Sequence, residues 1–158
     1  RLFGTTDRVI RSGNWYGNDT VWRMCLDLNR ILLYVNQQGE LTQNRRRYFS
    51  VVDGIIAMEG NGPVAGTRKD IGVLLAGTNP LAVDLVCARL MGFDFRKIPL
   101  LFRAMDKHEF PLFDGSIEDV VCTSDDQQWN KRLIEWSRSS SIPFRPHFGW
   151  AGHIEMEQ

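Results

Sequence analysis

Three acidic residues in the middle of the chain have types and positions that suit a metal site. Asp53 ends an apolar run rich in β-branched residues, Glu59 opens the glycine-rich stretch that follows, and Asp84 lies one turn inside a predicted helix. Ligand sites in open α/β sheets lie outside the carboxyl ends of the strands, so we expect these carboxylates to face one cleft there. Three oxygen donors could hold Mg²⁺, Mn²⁺ or Ca²⁺. The alternative is that each acid caps a loop or accepts backbone N–H groups.

The glycine-rich stretch after Glu59 could bind an anionic ligand through its backbone. Glycines allow N–H groups to approach an anion closely, and Arg68 and Lys69 could add positive charge. The glycine spacing fits neither the P-loop nor the dinucleotide-binding fingerprint, and the stretch leads into a predicted strand rather than a helix. Alternatively, the glycines supply positive φ angles for a sharp excursion of the chain. The residues predicted to bind a ligand are Gly60, Asn61, Gly62, Gly66 and Thr67.

The histidines and cysteines narrow the choice of metal centre. His147, His153 and Glu155 could supply nitrogen and oxygen ligands to a transition metal. Their spacing matches no standard zinc site, and a packed aromatic tail with hydrogen-bonded histidines is the alternative. The cysteines form no C-x-x-C pair, which argues against a disulfide framework, a cysteine-rich zinc site or an iron–sulfur cluster. The cysteines are Cys25, Cys87 and Cys122.

The elements that would position these residues predict an α/β fold with a mixed, largely parallel sheet flanked by helices. The continuous apolar run 71–76 is typical of a strand that is covered on both faces. After it, Thr78 or Asn79 can cap a helix whose first position is Pro80. Strand, helices and strand in one sheet would form a right-handed parallel crossover. The predicted buried strands are 48–53, 71–77 and 117–123, and the predicted helices are 19–36, 80–91, 96–107 and 126–137.

The C-terminal tail, residues 139–158, has an irregular pattern with several prolines and glycines. It also carries Phe144, Phe148 and Trp150, and burying each of these rings contributes on the order of 1.5–3 kcal/mol. We therefore expect residues 143–154 to be ordered against the domain or a partner chain.

Composition and charge restrict the class of protein and its partners. A chain of 158 residues has the size of one domain, so we expect 1–158 to be a single α/β domain. Lys plus Arg and Asp plus Glu are equal at 19 each, and this balance predicts no nucleic-acid partner. No apolar run reaches the roughly 20 residues that span a bilayer, so we expect no membrane partner and a cytoplasmic location. The chain begins at Arg1 rather than methionine, and we expect it to be the C-terminal part of a longer protein.

Two stretches of sequence resemble a known family. The motif VVDGIIAMEGNGPVAGT at 51–67, followed by LLAGTNPLAVDLVCARLMGFD at 74–94, is similar to the hallmark region of the bacterial and archaeal domain-of-unknown-function family 362. The resemblance covers the C-terminal part of a full member. Many members carry ferredoxin-like cysteine clusters, and this chain departs from that pattern. Because this chain lacks those cysteines, we expect no iron–sulfur cluster in it.

Two classes of function follow from the sequence. The first is a metal-assisted enzyme domain that acts on a small anionic metabolite through the acid cluster and the glycine-rich loop. The second is a non-catalytic binding or assembly module that docks on the rest of the full-length chain or on another subunit. A homo-oligomer is compatible with either class.

Overall fold

The computed structural model describes residues 4–5, 8–9 and 13–157, with side chains from residue 13 onward. Two short strands pair antiparallel near the N-terminus, and two long strands form a second sheet. The strands are β1 (Gly4–Thr5), β2 (Arg8–Val9), β3 (Ser50–Asn61) and β4 (Ala65–Gly77). The α-helices are α1 (Val21–Tyr34), α2 (Pro80–Leu90) and α3 (Pro99–Arg103), and the 3₁₀ turns are Phe95–Lys97, Ile117–Asp119, Leu133–Glu135 and Arg138–Ser140.

Strands β3 and β4 form an antiparallel hairpin in which Ser50 pairs with Gly77 at one end and Asn61 with Ala65 at the other. The β-branched residues of both strands suit a pleated surface. The register shifts between Gly54 and Ile56, and Gly72, which lies opposite this shift, has φ +67°. A bulge of this kind places one residue in the left-handed region, where glycine has no Cβ to clash.

The predicted largely parallel sheet is wrong. The run 71–77 is a strand, as expected, but it pairs antiparallel with β3. Residues 117–123 contain a 3₁₀ turn and an isolated bridge at Val121 instead of a third strand of that sheet. The two strands are also not buried on both faces, since Leu74 is 66% exposed while Val73 and Leu75 are half-buried. This alternation is typical of an antiparallel sheet with one face outward.

The structure confirms two predicted helices, α1 and α2. The Asn18 side chain accepts a hydrogen bond from the N–H of Val21 at the start of α1, and Asn79 accepts one from Ala82 at the start of α2. These caps satisfy N–H groups that have no partner inside a helix. Pro80 occupies the first turn of α2, as its sequence position predicted.

The other two predicted helices are wrong or much shorter than expected. In 96–107 only the five residues of α3 are α-helical, because Pro99 lacks an N–H and disfavours a helical residue before it. In 126–137 only Leu133–Glu135 forms a 3₁₀ turn. The Asp126 carboxylate instead accepts hydrogen bonds from the backbone and the side chain of Gln128. Such local bonds compete with helix formation.

The hydrophobic core lies among the helices and the loops that follow them. Its fully buried members are Leu33 of α1, Leu85 of α2 and Leu133 of the 3₁₀ turn. The tail is ordered against this core, as expected, because Ile142 N donates to Leu90 O at 2.6 Å and Ile154 is buried. These contacts place α2 between the core and the tail, directly after the hairpin.

Candidate functional site

A groove of about 580 Å³ runs beside β4. Five consecutive β4 residues, 73–77, line one side, and residues from the segments 113–115 and 119–124 line another. Consecutive residues of a strand face opposite sides of a sheet. A cavity that contacts all five therefore lies along the edge of the strand. The groove also contacts α2 and the rings of Trp129 and Trp136.

The edge of β4 beside this groove has an unpaired backbone. β4 pairs with β3 alone, and no backbone hydrogen bond joins β4 to any other segment within the described part of the chain. In an antiparallel strand, alternate residues direct their N–H and C=O groups to opposite sides. The groups that point away from β3 are therefore available to a further strand.

The amide and carboxylate side chains that line the groove are already engaged in local structure. Asn79 caps α2 and donates to Leu112 O, and Asp114 forms an ion pair with Arg45 at 2.7 Å. The Asp119 carboxylate accepts hydrogen bonds from the backbone N–H and the hydroxyl of Ser116, and these bonds lower its pKa. Each of these groups therefore already makes a contact within the chain.

Two further groups line the groove, a thiol of low reactivity and an indole N–H without a hydrogen-bond acceptor. Burial raises the pKa of the Cys122 thiol, so the thiol stays protonated and is a poor nucleophile. The indole Nε1 of Trp136 is buried and has no hydrogen-bond acceptor. Leaving a buried donor unpaired costs about 1–3 kcal/mol. The walls of the groove therefore offer backbone and apolar surface more than reactive side chains.

The outer face of the hairpin is a second exposed feature. Val51 pairs with Ala76 and Asp53 with Leu74, so these four side chains share a face. Val51 is 63% exposed on that face. On the opposite face, a Cβ on Gly77 would lie 2.7 Å from the side chain of Val83 in α2. The hairpin therefore packs on α2 with one face and presents apolar residues outward with the other.

The structure does not bring together the three carboxylates predicted to form a metal site. Asp53 is exposed and accepts a hydrogen bond from the N–H of Ile55 at 3.0 Å. Glu59 binds two basic residues of the chain, and Asp84 lies on α2 beside apolar residues of α1 and α3. Neighbouring protein atoms limit the hydration of Asp84 and raise its pKa, although the residue is not buried. In residues 13–157, no group of three or more His, Cys, Asp or Glu side chains could hold a metal ion.

Glu59 anchors the C-terminal tail to the hairpin. Its carboxylate accepts from Arg145 Nε at 2.8 Å and from Lys69 Nζ at 3.2 Å, and its side chain is 13% exposed. The hydrogen bonds from the Arg145 side chain and backbone, together with Lys69, hold the pKa of Glu59 down at about 2. Sequence analysis did not identify Arg145, because no local pattern connects a tail arginine to an acid 86 residues earlier.

The glycine-rich residues predicted to bind a ligand contact the same tail. Gly60 N donates to Arg145 O at 2.8 Å, Asn61 Oδ1 accepts from Phe148 N, and Thr67 Oγ1 accepts from Arg145 Nη2. The Met58 side chain lies close to Gly62 and Gly66, and a Cβ added to Gly66 would come within 2.4 Å of it. Gly60 has φ +76°, in line with the positive φ angles that the sequence offered as the alternative explanation.

The histidine pattern of the tail does not gather its ligands either. His147 Nδ1 accepts from the N–H of Gly149, and His153 stacks on Tyr16 with the ring centres 4.0 Å apart. The Glu155 carboxylate accepts from backbone N–H groups of Gly152 and Ile154. These side chains take the hydrogen-bonded, packed roles that the sequence offered as the alternative.

Comparison with known proteins identifies the family. The sequence profile described as Domain of unknown function (DUF362) matches residues 2–89, which is more than half of the chain. The chain belongs to this family. The DUF362 match includes the hairpin and nearly all of α2, and therefore covers the β4 wall of the groove.

A relative of this DUF362 chain is a thylakoid-associated protein from Synechocystis sp. (strain ATCC 27184 / PCC 6803 / Kazusa). The two are 38% identical over 52 residues, which is 33% of this chain and 16% of the relative. No solved structure matches the chain. No helix in the described residues is long and apolar enough to cross a membrane.

Proposed function

We propose that this chain is a non-catalytic binding module that assembles with another polypeptide through the β3–β4 hairpin. The observation that carries the proposal is the state of the hairpin: within the described residues two strands form its sheet, and the face turned away from α2 exposes Val51 and Leu74 beside Asp53. Packing on α2 supports one face of this two-stranded sheet, whereas the other face and the free edge of β4 have no such support within the described residues. Exposed apolar faces and unpaired strand edges are typical of protein interaction sites.

The exposed residues of the hairpin extend along its length rather than being scattered singly. Besides Val51 and Leu74 on the outer face, several large apolar side chains of β3 and of the residue before it are at least half exposed. These are Phe49, Ile55, Ile56 and Met58. A partner that covers this surface removes apolar area from water, which is favourable by roughly 25 cal/mol for each Å². The hairpin is therefore the part of the chain best suited to gain stability by assembly.

Site-specific crosslinking tests the proposal. A photo-crosslinking residue is placed at Val51 on the outer face, or at Ile134, which is exposed but distant in sequence from the hairpin, in cells that naturally produce the protein. We expect one discrete adduct from position 51, lost when Leu74→Lys is added, and no such adduct from position 134. Equal adducts from both positions, or none from position 51, would contradict the proposal.

The metal-assisted enzyme remains a prediction with its own test. Elemental analysis of the purified protein, with thermal melts in Mg²⁺, Mn²⁺ and Ca²⁺, measures it directly, because a ligand that binds only the folded state raises the melting temperature. A stoichiometric metal would favour the enzyme class over the binding module.

A further inference from the structure

We infer that the groove beside β4 receives one extended polypeptide segment with alternating apolar residues, which pairs with β4 as the third strand of the sheet. The inference rests on the proposed function and names the kind of partner. Only a polypeptide backbone offers donors and acceptors at the spacing of a strand ladder. Addition of a strand to an open sheet edge is a common mode of peptide recognition.

The two walls of the groove are extended segments whose far sides are already paired. β4 is bonded to β3 on one side. Across the groove, Val120 O accepts from Leu133 N at 2.9 Å, and Cys122 N donates to Lys131 O at 3.1 Å. The backbone of Val121, between these two, has no backbone hydrogen bond within the described residues. Both walls therefore have backbone groups left for a segment that lies between them.

The chemistry of the walls defines the partner. The carboxylates at the groove are engaged, Asp114 by Arg45 and Asp119 by Ser116. Arg45 neutralises Asp114, but the N–H and hydroxyl of Ser116 are uncharged donors, so Asp119 keeps its negative charge and disfavours an acidic segment. The side chain of Val121 is 64% exposed on the wall opposite β4. A segment with alternating apolar residues would cover such a surface, because every second side chain of a strand lies on one face.

The space favours a single strand over a second copy of the hairpin. A strand added to β4 lies about 4.8 Å from it, and a hairpin would need room for its own second strand at the same distance beyond. The segment 119–124 already bounds the groove opposite β4. A second copy of this chain that paired edge to edge through β4 would have to place both strands of its hairpin between β4 and that segment.

Selection from a peptide library tests the inference on the intact chain. A phage-displayed library of random eight-residue peptides is selected on the wild-type protein, with counter-selection on Val121→Asp. Because Val121 is exposed, this variant should fold, and circular dichroism checks that it does. We expect selected peptides to have alternating apolar residues and to bind Val121→Asp at least tenfold more weakly. Ile134→Asp, a matched change at an exposed site that does not line the groove, should bind them unchanged.

Two measurements identify the mode of binding. N-methylation of alternate residues removes the N–H groups along one edge of a selected peptide. Two such peptides, one methylated at the odd and one at the even positions, are compared, and we expect one of them to lose binding. In amide hydrogen exchange, alternate N–H groups of residues 73–77 should exchange fast in the free protein and become protected by the peptide.

Equal binding by both N-methylated peptides, unchanged exchange in 73–77, or no peptide sensitive to Val121→Asp would overturn the inference. The crosslinking at Val51 would stand in each of these cases, so failure of the strand site is distinguishable from failure of the binding module.

Discussion

Large apolar residues form a buried core in the helical part of the chain, whereas most of those in the hairpin are exposed. Leu33 and Leu85 are completely buried, whereas Leu74, in a strand directly before α2, is two-thirds exposed. The helices and loops close a core of their own, and the hairpin rests on it by one face. The difference indicates that stability is concentrated in the helical part, and the proposed function assigns the apolar surface of the hairpin to contacts with other molecules.

The largest effect is expected in the closed core. Leu85→Ala should lower the free energy of unfolding by about 2–5 kcal/mol, because it leaves a cavity at a fully buried site. Urea denaturation followed by circular dichroism measures the change. The same substitution at Leu74 should change the free energy of unfolding by less than about 0.5 kcal/mol, as exposed positions usually do. Similar losses at both positions would show that the hairpin is as tightly integrated as the core.

The next effect concerns the contact that joins the hairpin to the tail. Glu59→Ala removes the acceptor of Arg145 and Lys69, and charge-assisted hydrogen bonds of this kind are worth about 1–3 kcal/mol. We expect faster proteolysis within 143–148 and a lower free energy of unfolding. Asp70→Ala is the control, since it breaks an ion pair with Arg68 in which both side chains are 67% exposed. A tail that stays protected in Glu59→Ala would show that its aromatic residues hold it without the ion pair.

A pH series separates the charge of Glu59 from its packing. The pKa of Glu59 is about 2 in the folded chain and about 4.5 in the unfolded one, so the unfolded state binds more protons between these values. The contribution of Glu59 is therefore complete above about pH 4.5 and is lost as the pH falls toward 2. Urea midpoints of the wild type should fall more steeply across this window than those of Glu59→Gln. Parallel curves would contradict the assigned contact.

The smallest effect is expected at Asp84. Its pKa is raised by limited hydration, and no hydrogen bond to its carboxylate is present among the described contacts. A raised carboxyl pKa means that ionisation disfavours the folded state, so stability should increase as the pH falls through the folded pKa. Asp84→Asn should accordingly raise the melting temperature slightly at neutral pH and remove this pH dependence. A drop in melting temperature would instead indicate a bound partner, such as a cation, at the carboxylate.

Local patterns predicted the elements whose ends are marked by specific residues. Asn79 and Pro80 determined the start of α2, and the apolar spacing from Val21 determined α1. The same reasoning failed for 126–137, where Trp129 and Trp136 have helical spacing, but their rings pack against each other, with centres 6.4 Å apart, without an α-helix between them. There, side-chain hydrogen bonds of Asp126 and the donation from Trp129 Nε1 to Ser140 O replace helical ones. Periodicity alone does not report such competing bonds.

The candidate site was less predictable than the elements. The sequence located the hairpin region and its glycines, but it assigned Asp53, Glu59 and Asp84 to one cleft on the assumption of parallel strands. Once β3 and β4 pair antiparallel, their carboxyl ends lie at opposite ends of the sheet. The acids are then distributed along the hairpin and α2, and each finds a local environment of its own.

The sequence by itself predicted strands at 48–53 and 71–77, which the structure extends to Ser50–Asn61 and Ala65–Gly77, together with a capped helix after them and an ordered aromatic tail. These features depend on residues close together along the chain, whose preferences for φ, capping and burial are local. The tertiary structure alone decided the direction of strand pairing, the ion pair of Glu59 with Arg145, and the groove between β4 and 119–124. These join residues distant in sequence, and their geometry follows from how whole elements pack rather than from any short pattern.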